Sequence, residues 1–163
     1  MNFICNVYFD MLKYFNNDIR RINHASKVYC FAKMIAEKEK VNKDTQTIIE
    51  IASILHDIGI KVCEQKYNST LGHFQEIEGP IVAQNILKAY EIDNSILNRV
   101  LYLIGNHHSY NKIDDIDFQI LVEADFLVNI YEDNMSLEQI RKIKEKYFKT
   151  VSGTDIIRSM YNL

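Results

Sequence analysis

Two histidines and two aspartates, far apart in the sequence, fall where helical spacing turns them towards the protein interior. His24, His56 and Asp125 each continue the apolar stripe of a predicted helix. Asp57 follows His56 and is rotated from it by about 100°, which at a helix end still lets both side chains reach one pocket. A carboxylate among apolar neighbours is costly unless it is paired, protonated or coordinated. Imidazole and carboxylate groups together suit Zn, Fe, Mn or Co, so the set predicts a metal site.

Each of these residues taken alone has a simpler explanation. A His-Asp dipeptide is common by chance. A single inward histidine is usually a hydrogen-bonded core residue, and Asp125 alone could pair with a lysine or arginine. The metal interpretation therefore depends on the four residues as a set, distributed over three predicted helices.

The elements that must position these residues are predicted to be helical throughout. Apolar residues recur at helical spacing, and sustained strand-like alternation is absent. We expect an all-α bundle of about seven helices. Gly79-Pro80 would open one of them, and Ser136 with Gln139 forms a capping-box pattern for another. The expected helices cover roughly 3–14, 18–40, 42 or 44 to 59, 80–90, 93 or 95 to 108, 118–132, a segment from 136 and a short one from 153 or 154, with loops at 61–77 and 109–117.

Length and composition indicate one domain over residues 1–163, with the motif-bearing core at about 18–132 and C-terminal helices at 136–163. The formal charge is −3 and no block of like charge occurs, so duplex nucleic acid is not an expected partner. The three cysteines form no CxxC pair, which favours a reducing cytoplasm. No signal peptide or membrane span is predicted. Either a monomer or a homodimer is compatible with the sequence.

Three segments resemble the motifs of the HD superfamily of metal-dependent phosphohydrolases: NHASKV at 23–28, ASILHDIG at 52–59 and VEADFL at 122–127. The resemblance implies an HD-domain helical bundle in which His24, His56, Asp57 and Asp125 bind a divalent metal. It also implies that His56 and Asp57 are catalytic in phosphate-ester hydrolysis, in which the metal activates a water molecule.

Members of the superfamily with two metals carry further histidines between the His-Asp pair and the last aspartate. Here His73 precedes a predicted helix start, and His107-His108 at a helix end resembles the paired histidines of those members. The spacing at His73 is long, so Glu76 or Glu78 are alternatives for that role. Otherwise His73 would be a surface residue, and the histidine pair would merely close a helix. We expect two ions, bridged by Asp57.

The resemblance also bears on the substrate. In HD-GYP phosphodiesterases a lysine stands where this chain has Ile60, and no Gly-Tyr-Pro occurs here, so cyclic dinucleotides are not expected substrates. The short chain is more similar to small bacterial members that hydrolyse nucleotides or dinucleoside polyphosphates. Lys27, Lys61 and Lys66 are candidates for holding phosphate. The metal, one ion or two, could be Fe, Mn, Zn, Co, Ni or Mg. The alternatives are a ligand-binding or regulatory HD module with little turnover and a purely structural bundle.

Overall fold

The computed structural model describes residues 3–163 and confirms the all-α fold class; no strand occurs in this part of the chain. Residues 3–163 form nine α-helices and one short 3₁₀ turn. The helices are α1 (Phe3–Phe15), α2 (Ile19–Lys38), α3 (Lys43–Leu55), α4 (Ile60–Tyr67), α5 (Gly72–Leu87), α6 (Asn94–Ile104), α7 (Ile116–Glu132), α8 (Leu137–Tyr147) and α9 (Val151–Tyr161), and the 3₁₀ turn is Tyr110–Lys112.

Helices α2, α3 and α7 pack against one another at the centre of the bundle, and α6 packs on α3. One apolar cluster joins α2 and α7 to α8 and α9, and a second joins α1, α3, α5 and α6. Helix α7 lies in the interior, with every residue from 120 to 128 buried. A helix that is apolar on all sides is stable only when neighbours cover it, and α7 carries Asp125 in the middle of this covered stretch.

Side-chain caps fix where the central helices begin. Asp18 accepts a hydrogen bond from the Arg21 amide at the start of α2, Asn42 caps α3 and Asp93 caps α6. Ser136 forms the expected capping box at the start of α8. Such caps satisfy backbone N–H groups that have no partner within the helix, typically contributing about 1 kcal/mol each.

The segment expected to be a loop at 61–77 is mostly helical. It holds α4 and the first turns of α5, which begins at Gly72, so Pro80 lies inside α5 rather than at its first position. The interior proline is tolerated where α5 meets α6: a Cβ on Gly105 would lie 3.0 Å from Pro80 Cγ and 3.4 Å from the carbonyl oxygen of Glu76. The small residue leaves room for the ring and for the carbonyl whose helical partner the proline removes.

Several helix ends also differ from the expected ones, and two of them matter for the site. Helix α3 ends at Leu55 rather than near Gly59, and α6 ends at Ile104 rather than near His108. His56-Asp57 and His107-His108 therefore lie in turns. At the C-terminal end, α9 begins at Val151, two or three residues earlier than expected.

Two glycines bring the turn after α3 against α5. A Cβ on Gly59 would lie 2.6 Å from the Gly79 nitrogen and 2.8 Å from its Cα. Backbones approach this closely only where no side chain intervenes, so the pair holds the His56-Asp57 turn in place. Among the described residues no helix is long and apolar enough to cross a membrane.

Candidate metal centre

The structure brings together six of the residues singled out from the sequence. They come from α2, from the turns that follow α3 and α6, and from α7, and they are His24, His56, Asp57, His107, His108 and Asp125. Because these four segments pack around the bundle centre, side chains separated by about a hundred positions meet in one buried place.

One half of the cluster surrounds Nε2 of His24. This atom lies 3.1 Å from Nε2 of His56, 3.2 Å from Oδ1 of Asp125 and 3.5 Å from Oδ2 of Asp57. His56 Nε2 is likewise 3.5 Å from Asp57 Oδ2 and 3.6 Å from Asp125 Oδ1. Two imidazole nitrogens and two carboxylate oxygens thus converge on one point, a donor set typical of transition-metal sites.

The other half of the cluster lies on the opposite oxygen of Asp57. Oδ1 of Asp57 is 3.4 Å from Nε2 of His107, and the His107 and His108 ring centroids are 4.0 Å apart. Ligand atoms of Asp57, His107 and His108 all lie within 4.8 Å of one another. Asp57 therefore belongs to both halves, with one oxygen directed to each.

Backbone carbonyls orient two of the histidines. Nδ1 of His56 lies 2.9 Å from the Ser53 carbonyl oxygen, and Nδ1 of His107 lies 2.8 Å from that of Ile104. A carbonyl only accepts, so each Nδ1 carries the proton and each Nε2 presents a lone pair to the cluster. This is the tautomer that binds a metal through Nε2.

Glu132 completes the arrangement and was not predicted from the sequence. Its Oε2 lies 3.1 Å from Nδ1 of His24, and its Oε1 accepts from Nζ of Lys27 at 2.8 Å. Glu132 stands seven residues after Asp125, two turns further along the same side of α7. From the sequence, this spacing could have indicated that Glu132 lies on the same side of α7 as Asp125. It could not have indicated the contact with His24, which forms only because α2 packs on α7.

Three atoms of the cluster are buried without a hydrogen bond in the described structure: Nε2 of His107, Nε2 of His108 and Oδ1 of Asp125. Nε2 of His107 lies 3.4 Å from Asp57 Oδ1 without a hydrogen bond between them. Buried polar atoms are nearly always satisfied, so these three have the character of ligand atoms. The donor set fits a divalent cation in each half.

Burial and mutual charge shift the pKa values of the site residues in opposite directions. Burial disfavours the imidazolium of His24, but the Asp125 carboxylate oxygen 3.2 Å away and the charge of Asp57 outweigh it and raise its pKa to about 9. Burial lowers the pKa of His56, and burial with the charge of His107 lowers that of His108 to about 4. Although burial opposes ionisation of Asp57, the surrounding histidines hold its pKa below the usual range.

Three further candidates for the second ion lie outside both halves. His73 is exposed, with its ring centroid 3.9 Å from that of Phe74. Glu76 accepts hydrogen bonds from the His108 amide and the Ser109 hydroxyl, so it supports the turn that carries the histidine pair. Glu78 pairs with Lys66 at 2.7 Å and accepts from Tyr67.

The three lysines proposed to hold phosphate have other partners. Lys66 pairs with Glu78, Lys27 with Glu132, and Lys61 donates to the Tyr14 carbonyl at 3.2 Å. Lys27 alone of the three contacts a residue that supports the cluster. Proximity to a motif in sequence did not place Lys61 or Lys66 beside the metal ligands.

Two openings are each lined by residues of the cluster. A cavity of about 300 Å³ is lined by His24 and Asp57 together with Arg20, Arg21 and several acidic residues. A larger groove of about 600 Å³ is lined by His108 and by residues of the 3₁₀ turn and the end of α8. The site thus joins a buried donor cluster to two solvent-accessible surfaces, as a small-molecule site requires.

The fold and the cluster define a class: all-helical bundles that gather histidines and aspartates from separate helices into one buried centre. The HD domain family matches residues 21–144, so the chain belongs to the HD-domain family, whose members are generally metal-dependent phosphohydrolases.

One solved structure shares the fold across the whole chain. It is the crystal structure of a predicted HD superfamily hydrolase from an uncultured Thermotogales bacterium, and it has a TM-score of 0.68 and 22% sequence identity to this chain. The alignment covers 99% of this chain and 85% of that one. No curated protein matches the chain.

Proposed function

We propose that the protein is a metal-dependent phosphohydrolase with two divalent ions held on either side of Asp57. The observation that carries the proposal is the division of the Asp57 carboxylate, with Oδ2 3.5 Å from His24 and His56 and Oδ1 3.4 Å from His107. A carboxylate placed between two sets of histidines is the arrangement expected of a bridging ligand.

The proposed ligands fall into two sets that share this aspartate. The first ion would be held by His24, His56, Asp57 and Asp125, and the second by Asp57, His107 and His108. Bound there, the ions would supply the positive charge that activates water and offsets charge on the phosphoryl group.

The protein's own groups contribute orientation and proton control. The carbonyls of Ser53 and Ile104 keep the Nδ1 protons of His56 and His107 in place, and Glu132 does the same for His24. These contacts fix which nitrogen faces the cluster and hold the rings rigid. The bundle excludes bulk water from all but the open faces of the cluster, which strengthens each electrostatic interaction inside it.

A phosphomonoester or phosphodiester, in particular a nucleotide or dinucleoside polyphosphate, is the proposed substrate. The support is the family, together with openings large enough for a small phosphorylated molecule. The proposal can be tested by assaying p-nitrophenyl phosphate, bis-p-nitrophenyl phosphate and a nucleotide panel with Mn²⁺, Fe²⁺, Co²⁺, Ni²⁺ and Mg²⁺.

Two variants and one control make this assay decisive. We expect His56→Ala and Asp57→Ala to lower turnover by at least about a hundredfold, since each removes a ligand from the charged centre. His73→Ala, at an exposed histidine outside the cluster, should retain turnover. Unchanged metal content and turnover in both ligand variants would overturn the proposal. Bound metal without turnover of any substrate would instead favour a regulatory module.

A further inference from the structure

The two openings beside the cluster differ in charge. Five carboxylates line the smaller cavity, against two arginines: Asp18, Asp57, Glu64, Glu132 and Asp133, with Arg20 and Arg21. Arg21 is already engaged by Asp18 at 2.8 Å and Glu64 at 2.5 Å. Even if Asp57 and Glu132 are neutralised by ions and by His24, acids still outnumber bases there. The protein's own charges therefore do not favour a multiply charged anion on this side.

The larger groove has the opposite character. Lys146 and Lys149 line it and no carboxylate does. Neither ammonium group forms an ion pair with any residue that the structure describes; Lys146 lies 5.0 Å from the centre of the Tyr147 ring, and Lys149 donates to the Glu145 carbonyl at 3.1 Å. Two cations without carboxylate partners are available to an anionic ligand.

The groove and the cluster have His108 in common. His108 is both a wall of the groove and a member of the group of donor atoms around Asp57, within 4.8 Å of its partners. Tyr110 and Asn111 continue the wall and offer a hydroxyl and an amide for hydrogen bonding. A molecule with one phosphate at the cluster can therefore extend along this surface towards the lysines.

We infer that the groove lined by His108, Tyr110, Asn111, Lys146 and Lys149 binds a second phosphate group of the substrate, which makes the substrate a small molecule with at least two phosphates. This inference rests on the proposed function for the position of the first phosphate. It assigns recognition to the end of α8 and the segment just after it, which contribute no residue to the metal cluster.

The test compares adenosine 5′-triphosphate with adenosine 5′-monophosphate. Binding to the full chain is measured by isothermal titration calorimetry in excess Mg²⁺, and KM and kcat are measured in parallel. The variant is the double substitution Lys146→Gln with Lys149→Gln. The matched control is Lys142→Gln with Lys144→Gln, which removes the same charge from α8 outside the groove.

We expect the triphosphate to bind the wild type more tightly than the monophosphate. In the groove variant the Kd and KM for the triphosphate should rise about tenfold, as expected for the loss of two partly exposed charge contacts. Its kcat, its affinity for the monophosphate and its turnover of p-nitrophenyl phosphate should be unchanged, as should every value for the control pair.

Equal effects of the two double variants, or no preference of the wild type for the triphosphate in binding, would overturn the inference. If p-nitrophenyl phosphate is still hydrolysed in that case, the proposed function stands without it. If the wild-type protein turns over none of the substrates, the proposed function is contradicted instead. The calorimetric comparison of triphosphate and monophosphate binding would then still decide whether the groove binds a second phosphate.

Discussion

The carboxylate of Glu132 accepts a hydrogen bond from Nδ1 of His24 at 3.1 Å, on the side of the ring opposite to Asp125. The imidazole is therefore held between two carboxylates from the same helix, two turns apart on α7. The outer one fixes the tautomer, and the inner one shares the cluster with His24 Nε2. In metal sites such an outer partner is worth about a 10–100-fold factor in affinity.

Glu132→Gln should consequently weaken metal binding by about 10–100-fold while leaving the fold intact. The amide can still contact the ring, but it no longer favours an Nδ1 proton. Lys27→Met, which removes the partner of the other Glu132 oxygen, is the control and should have a smaller effect. Calorimetric titration with Mn²⁺ provides the measurement. Equal affinities for wild type and Glu132→Gln would show that the carboxylate does not orient His24.

Removing metal should lower thermal stability, because the cluster buries several ligand atoms that otherwise have no partner. At metal concentrations about a hundredfold above Kd, the expected loss of Tm on chelation is about 5–10 °C, recovered when metal is restored. Asp125→Asn should reduce this difference. A Tm indifferent to chelator, with Asp125→Asn neutral or stabilising, would instead be the behaviour of a structural bundle.

Gly59→Ala should destabilise the protein by about 1–3 kcal/mol, since its Cβ would lie 2.6 Å from the backbone nitrogen of Gly79. The backbones of α5 and of the His56-Asp57 turn must then separate. Gly105→Ala, whose nearest neighbour is Pro80 Cγ at 3.0 Å, is a milder comparison. Urea unfolding measures both. A similarly small loss of unfolding free energy in both variants would show that the turn after α3 can move away from α5 at little cost.

Arg99→Met should destabilise the protein by about 2 kcal/mol, because Asp117 is buried and loses its charged partner. Arg99 also donates to Asp114, and this hydrogen bond holds the pKa of Asp114 below its usual value. A carboxylate with a lowered pKa stabilises the fold fully above about pH 4 and less as pH falls through its folded-state pKa. The difference in unfolding free energy between wild type and variant should therefore narrow below about pH 4. If the difference in unfolding free energy between wild type and Arg99→Met does not change with pH, the Asp114 carboxylate does not contribute in this way.

The sequence predicted what depends on local spacing. Apolar periodicity placed the central helices, and His24 and Asp125 stood out because they are polar residues on apolar stripes that the structure does bury. The capping box of Ser136 and Gln139 was likewise predicted, since a cap depends on the three or four residues that follow it.

What the sequence did not predict depends on contacts between distant segments. Helix α4 and the first turns of α5 are polar, and Pro80 has the pattern of a helix start; only the close passage of α6 at Gly105 accounts for a proline inside α5. The ion pair of Lys66 with Glu78 likewise forms only because α4 packs against α5. Lys146 and Lys149, more than thirty residues beyond the histidine pair, reach the His108 groove only in the folded chain.

The most direct test of the two-ion centre is the number of bound metal ions per chain. It is measured by inductively coupled plasma mass spectrometry on protein purified in the presence of metal. We expect about two ions for the wild type, about one for His107→Ala, and fewer than one for Asp57→Ala, whose carboxylate serves both sets of ligands. A wild type that binds no ion under any metal supplied, or an Asp57→Ala variant that retains the full number, would contradict the account.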